Sequence, residues 1–89
     1  MSLAVVLLPD SLARLFPGAP RRARVPGETV LDVVDALNER WSGMRDRLLD
    51  GRPEIRRHIV IFVNEVRSTL ETPVGPEDEV YVLPAMSGG

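Results

Sequence analysis

The chain has 89 residues, enough for one small domain with a modest core and no room for a second. Its 44% hydrophobic and 27% charged residues suit a folded globular protein, and a net charge of −2 lacks the concentrated basic excess of nucleic-acid binders. Cysteine is absent and His58 is the single histidine, which excludes disulfides, thiol nucleophiles and thiolate metal sites and leaves no nucleophile–base pair.

All eleven basic residues are arginine, so the chain offers no lysine ε-amine for an isopeptide bond to a copy of itself. No apolar run approaches membrane-spanning length. Residues 3–8 are too few, and lack the basic start, for a signal peptide. The expectation is a cytoplasmic protein, a monomer when free, with neither nucleic acid nor membrane among its partners.

Residues 2–8 are apolar and β-branched without alternation, as in a strand buried on both faces near a sheet centre. Pro9 ends that strand. Asp10 or Ser11 can cap a short helical turn through Leu12, Leu15 and Phe16, before the turn cluster at 17–20. Residues 21–25 read as a returning strand whose Arg21, Arg22 and Arg24 mark a solvated, charge-protected edge. After Pro26-Gly27, Thr29 with Asp32 three residues on forms a capping box that uses the shorter acid. Val30, Val33, Val34, Leu37 and Trp41 then fall on one helical stripe, with Asp32, Asp35, Asn38 and Glu39 largely off it. Ser42-Gly43 breaks the helix, and residues 44–49 resume a short one that Gly51 can terminate. Trp41 and Met44 are expected to be core.

Residues 58–63 are the most emphatic strand, with His58 as its polar first residue and Asn64-Glu65 as a turn out of it. A short edge piece lies within residues 66–70, a loop within 73–78, and the last strand runs through Glu79 to Leu83. Alternation puts Val80 and Val82 on one side of that strand and Glu79, Tyr81 and Leu83 on the other.

This order predicts an α+β two-layer domain: a mixed sheet of four or five strands packed on one main helix. With the first and last strands central and parallel, it is the β-grasp, or ubiquitin-like, arrangement. The expected domain is 1–84, followed by a free tail, 85–89. Pro84 has no N–H to donate, so pairing is expected to stop there. Gly88-Gly89, without Cβ atoms, can thread a channel too narrow for other residues. A carboxylate on such a tail is a deliverable chemical group.

With that fold and that tail, the chain resembles the MoaD/ThiS family of ubiquitin-like sulfur carriers, and lies closer to its MoaD and CysO-type members than to ThiS itself. The resemblance covers nearly the whole chain. It is carried by Asp78-Glu79-Val80, by Leu83-Pro84-Ala85-Met86-Ser87-Gly88-Gly89, by Phe62-Val63-Asn64 and by Gly27-Glu28-Thr29-Val30. Trp41-Ser42-Gly43-Met44 and Leu48-Leu49-Asp50-Gly51 are similar to CysO-type proteins of cysteine biosynthesis.

The resemblance implies a carrier and not an enzyme. An E1-like adenylyltransferase/sulfurtransferase would adenylate Gly89 with ATP, and sulfur would then replace AMP to leave a thiocarboxylate. The carrier would pass this sulfur to a sulfur-accepting synthase, for cysteine, another thiolated metabolite or molybdopterin. No cofactor would be bound by the chain itself. Gly88, Ser87 and Met86 would thread into the partner. Leu83 and Tyr81, with Phe62 and Arg67, would form the partner-binding face. Arg67 departs from molybdopterin-synthase small subunits, which more often carry an apolar residue there. A ubiquitin-like modifier joined through Gly89 to lysines of other proteins is the alternative with the same activation step.

Overall fold

The computed structural model describes residues 3–85. A five-stranded sheet has the order β2-β1-β5-β3-β4, with strands Leu3–Leu7 (β1), Arg22–Pro26 (β2), Ile59–Val63 (β3), Val66–Arg67 (β4) and Glu79–Pro84 (β5). The helices are Asp10–Ala13 (α1), Val30–Arg40 (α2) and Met44–Leu48 (α3). β1 and β5 run parallel beside each other, while β1–β2, β3–β5 and β3–β4 are antiparallel. This is the expected β-grasp.

The missing alternation in β1 has its expected cause. Ala4 and Val6 face the helices, and Val5 on the opposite face is also buried between its neighbours. β2 alternates instead: Ala23 and Val25 are buried, while Arg22, Arg24 and Pro26 are exposed along the edge. Arg24 there pairs with Glu77 at 2.8 Å.

α2 starts where the capping signal puts it. Thr29 Oγ1 accepts the Asp32 N–H (3.2 Å), and the Asp32 carboxylate reaches back to the Glu28 N–H (3.1 Å). The capping box is therefore complete, but the shorter acid reaches the N–H preceding the cap and not that of Thr29 itself. Gly27 lies against this first turn so closely that a Cβ would sit 2.8 Å from Val33 Cγ2 and 2.9 Å from Val33 N. Only glycine fits. Val30, Val33, Val34 and Leu37 bury the predicted stripe under the sheet, joined by Ala36. Trp41 is half-buried at the helix end, its ring under the Arg40 guanidinium at 4.5 Å.

Three local expectations need correction. Asp10 does not cap α1: the Pro9 carbonyl accepts the Leu12 and Ala13 N–H groups, and the Asp10 carboxylate pairs with Arg14. The helix ends at Ala13, short of the Leu15 and Phe16 expected in it, and Leu15 is 50% exposed. Gly51 does not terminate α3; Leu49 has already turned extended to bridge Ile55. The loop that follows is closed by Asp50, whose carboxylate accepts the N–H groups of Arg52 and Glu54 and the Arg52 guanidinium. Those bonds, the Arg52 guanidinium first, lower the Asp50 carboxyl to about 2.

Leu37, 0% exposed at the centre of the core, tests whether α2 is held by its stripe. Leu37→Ala is expected to lower unfolding free energy by about 2–5 kcal/mol in urea titrations. Leu15→Ala, at an exposed position, should change it by no more than about 0.5 kcal/mol. Equal losses from the two would contradict this placement of the core.

Candidate functional site

β5 brings the chain to its C-terminal segment through the middle of the sheet. Val80 and Val82, each 1% exposed, point to the helices; Glu79 and Tyr81 are half-buried on the other face, and Leu83 is 40% exposed there. The alternation read from the sequence is thus the alternation of the strand. Met86, Ser87, Gly88 and Gly89 lie outside the described residues.

Cross-strand register collects the other expected residues beside β5. Tyr81 lies opposite Phe62, Phe62 opposite Arg67, and Leu83 opposite Val60. On the other flank Leu7 pairs with Tyr81 and Arg22 with Leu7. One transverse row of this helix-free face therefore reads Arg22, Leu7, Tyr81, Phe62, Arg67. An apolar centre is bordered by arginine at both margins. A shallow concavity lies between Phe62, Asn64, Glu79, Tyr81 and Leu83.

Tyr81 is fixed on this face by its hydroxyl, which donates to Glu79 Oε1 at 2.9 Å. That bond to a carboxylate, followed by partial burial, raises the phenol above its usual range. The tyrosine is accordingly a neutral aromatic surface with its donor satisfied.

The strand's exit has one feature that departs from expectation. Pro84 was expected to end the pairing, yet it lies opposite Ile59, and the Ala85 N–H donates to the His58 carbonyl at 2.8 Å. Along β5 the bonds to β3 fall on alternate residues, and Pro84 sits at a position whose missing N–H would point toward β1. The β1 ladder has already ended at Tyr81. The proline therefore removes no bond from the β3 ladder.

At the strand's other end, Asn64 makes a clamp that sequence reading took for a plain turn. Its φ of 56° is left-handed, a region asparagine tolerates better than most residues. Its N–H donates to the Glu79 carbonyl (2.6 Å), its Oδ1 accepts the Glu79 N–H (3.0 Å) and its Nδ2 donates to Asp78 Oδ1 (3.2 Å). Asp78 Oδ2 in turn accepts the Gly75 N–H at 2.7 Å. These bonds, the Gly75 N–H first, lower the Asp78 carboxyl below its usual value. The turn after β3 thereby fixes where β5 begins. An asparagine at a two-residue turn was the available signal; its long-range partners were not.

Among the described residues no group of His, Asp or Glu could hold a metal ion, and no helix is long and apolar enough to cross a membrane.

The profile of the ThiS family matches residues 15–89. The chain belongs to the ThiS family. It is 31% identical to the sulfur carrier protein CysO of Mycobacterium tuberculosis and of Mycobacterium bovis, over 89% of this chain and 91% of theirs. Among solved structures, the BexX/CysO complex of Amycolatopsis orientalis contains a chain that superposes with a TM-score of 0.85 at 30% identity, covering 97% of this chain and 99% of that one. SAMP1 of Haloferax volcanii superposes with a TM-score of 0.81 at 26% identity, covering 99% of this chain and 100% of that one. The chain is thus a sulfur carrier protein of the CysO/ThiS type, a non-catalytic family.

Asn64→Ala removes the left-handed preference and both side-chain bonds of the clamp. It should cost about 1–3 kcal/mol of stability. Asn64→Gly, which restores only the backbone freedom, should recover part of this. Denaturant midpoints measure both, and an unchanged midpoint for Asn64→Ala would remove Asn64 from this role.

Proposed function

We propose that the chain carries sulfur on Gly89. The carboxylate of Gly89 attacks the α-phosphorus of ATP in an E1-like partner, forming the acyl adenylate and releasing pyrophosphate. Hydrosulfide then adds to the acyl carbon, and AMP leaves to give the thiocarboxylate. Activation is required because a carboxylate is a poor electrophile with a poor leaving group. The thiocarboxylate is anionic at neutral pH and keeps a soft nucleophilic sulfur, as thiolates do. A sulfur-accepting synthase consumes it, and similarity to CysO favours cysteine or another thiolated metabolite over molybdopterin. Arg67, exposed opposite Phe62, agrees with that preference.

The observation that carries this reading is the placement of Tyr81 and Leu83. Both lie on the helix-free face of the strand that leads directly into Met86–Gly89. A partner seated on Leu83, Tyr81, Phe62 and Arg67 would be at the root of the segment it must thread. Gly88, Ser87 and Met86 would occupy its channel. The central strand gives such a partner a fixed point from which to locate the reacting carbon.

A second reading is favoured by the superposition on SAMP1, a small archaeal modifier protein. In it the same activated Gly89 acylates lysines of other proteins. Adducts on lysine that disappear on deleting Gly89 would distinguish it.

The test is ATP–pyrophosphate exchange with the host's E1-like enzyme. Deleting Gly89 should abolish exchange. Leu83→Arg should lower kcat/KM at least about tenfold, or ~1.4 kcal/mol, with an unchanged unfolding midpoint. Exchange that survives loss of Gly89 would overturn the reading. Wild-type exchange by Leu83→Arg would remove the docking face from it.

A further inference from the structure

A second part of the sheet offers backbone for pairing, on the far edge of β3. β4 contains only Val66 and Arg67, opposite Val63 and Phe62. One residue further, the Ser68 N–H and Oγ both donate to the Ile61 carbonyl at 2.9 Å. The chain then swings away to α2, where the Leu31 N–H takes the Leu70 carbonyl (3.0 Å) and the Val30 N–H takes that of Thr72 (3.1 Å). This divergence leaves an open groove of about 430 Å³ beside Ile59, Val60 and Ile61.

Backbone direction at this edge follows from the ladder on the other side. Asn64 and His58 bond to β5, so by alternation Val60 and Phe62 also turn their backbone groups to β5. Ile59 and Ile61 turn theirs to the groove. The Ile59 N–H is taken by the Arg56 carbonyl and the Ile61 carbonyl by Ser68. The Ile59 carbonyl and Ile61 N–H are then the groups an added strand would engage.

The groove's charge selects its occupant. Arg56, Arg57 and Arg67 line it, and among the described residues none of them forms an ion pair. Of the two acids on the same lining, Glu54 is paired with Arg52 at 3.0 Å, leaving Glu71. A second copy of this chain would bring its own arginines to the same edge, so like charges oppose self-pairing.

We propose that this groove binds an extended acidic segment of a partner protein, which adds to β3 as an edge strand. Main-chain bonds to Ile59 and Ile61 supply the pairing, and Arg56, Arg57 and Arg67 take alternate carboxylates. The stretch from Ile59 to Ile61 spans about 10 Å, so the bound core is about three to five residues long. The site lies across β3 from β5 and does not depend on what becomes of Gly89. Arg67 also borders the docking face around Tyr81 and Phe62, so a partner held here meets one that engages the C-terminal segment at that residue.

The experiment titrates the ¹⁵N-labelled full chain with the peptide acetyl-Asp-Val-Glu-Val-Asp-amide at low salt. The expected result is saturable shifts confined to residues 55–61 and 67–71, with half-saturation below about 1 mM. Arg57→Glu, an exposed position outside the sheet, should weaken binding at least about tenfold, as should N-methylation of the peptide's central residue. A peptide with lysine in place of each acid should not bind.

Several outcomes would overturn the proposal. These are no saturable shift, indifference to N-methylation, or displacement of the peptide by equimolar inorganic phosphate, which would mark a simple anion site. Sedimentation showing that copies associate through this edge, and that Arg57→Glu strengthens their association, would assign the groove to self-pairing instead.

Discussion

β5 is held from three directions. β1 pairs with it in parallel, β3 pairs with it antiparallel, and Val80 and Val82 are clasped beneath it by the stripe of α2. Edge strands can shift or fray, but a central strand moves only with the sheet. Its start is set by Asn64 and Asp78, and the Ala85 N–H ties its far end to His58. Glu79 to Ala85 are therefore anchored at both ends and along both flanks, although nothing in their own composition is unusual. The proposed chemistry at one terminal atom would need this arrangement. The fold contributes position and the partner contributes chemistry.

The division of β5 into two faces follows from the same pairing. A side chain cannot change face without a register slip, and a slip would expose Val80 and Val82 while burying Glu79. Tyr81 and Leu83 are thus held on the helix-free surface by the burial of their neighbours. The apolar centre around Tyr81 and Phe62, with Arg22 and Arg67 at its margins, has the form of a protein interface in which an apolar core lies within a polar rim. It is small, and a partner seated on it would gain orientation as well as affinity.

Much of this was legible in the sequence because the signals were periodic. The helical stripe from Val30 to Leu37, the unalternating β1 and the alternating β5 each have one packing that satisfies them, and the structure adopts it. Exceptions came where one local signal competed with another. Asp10 looked like a cap, but the Pro9 carbonyl and Arg14 took its place and its side chain. Gly51 looked like a helix stop, yet Leu49 had already left the helix to bridge Ile55. Asn38 was read only as lying off the stripe, whereas its Oδ1 accepts the N–H groups of Gly43 and Arg45 and orders the start of α3. The Asn64 clamp and the divergence after Ser68 depend on contacts between distant segments, which no local pattern encodes. Alternation assigned Tyr81 and Leu83 to one face of β5, but it gave no face to Phe62 or Arg67, and only register brings the four together.

The central claim is that Gly89 carries sulfur, and the mass of the untagged protein purified from its own host tests it most directly. The account predicts a fraction heavier than the plain chain by the difference between sulfur and oxygen, and no such fraction when Gly89 is deleted. A mass that stays at the plain carboxylate, even with ATP, a sulfur source and the host's E1-like enzyme supplied, would contradict it.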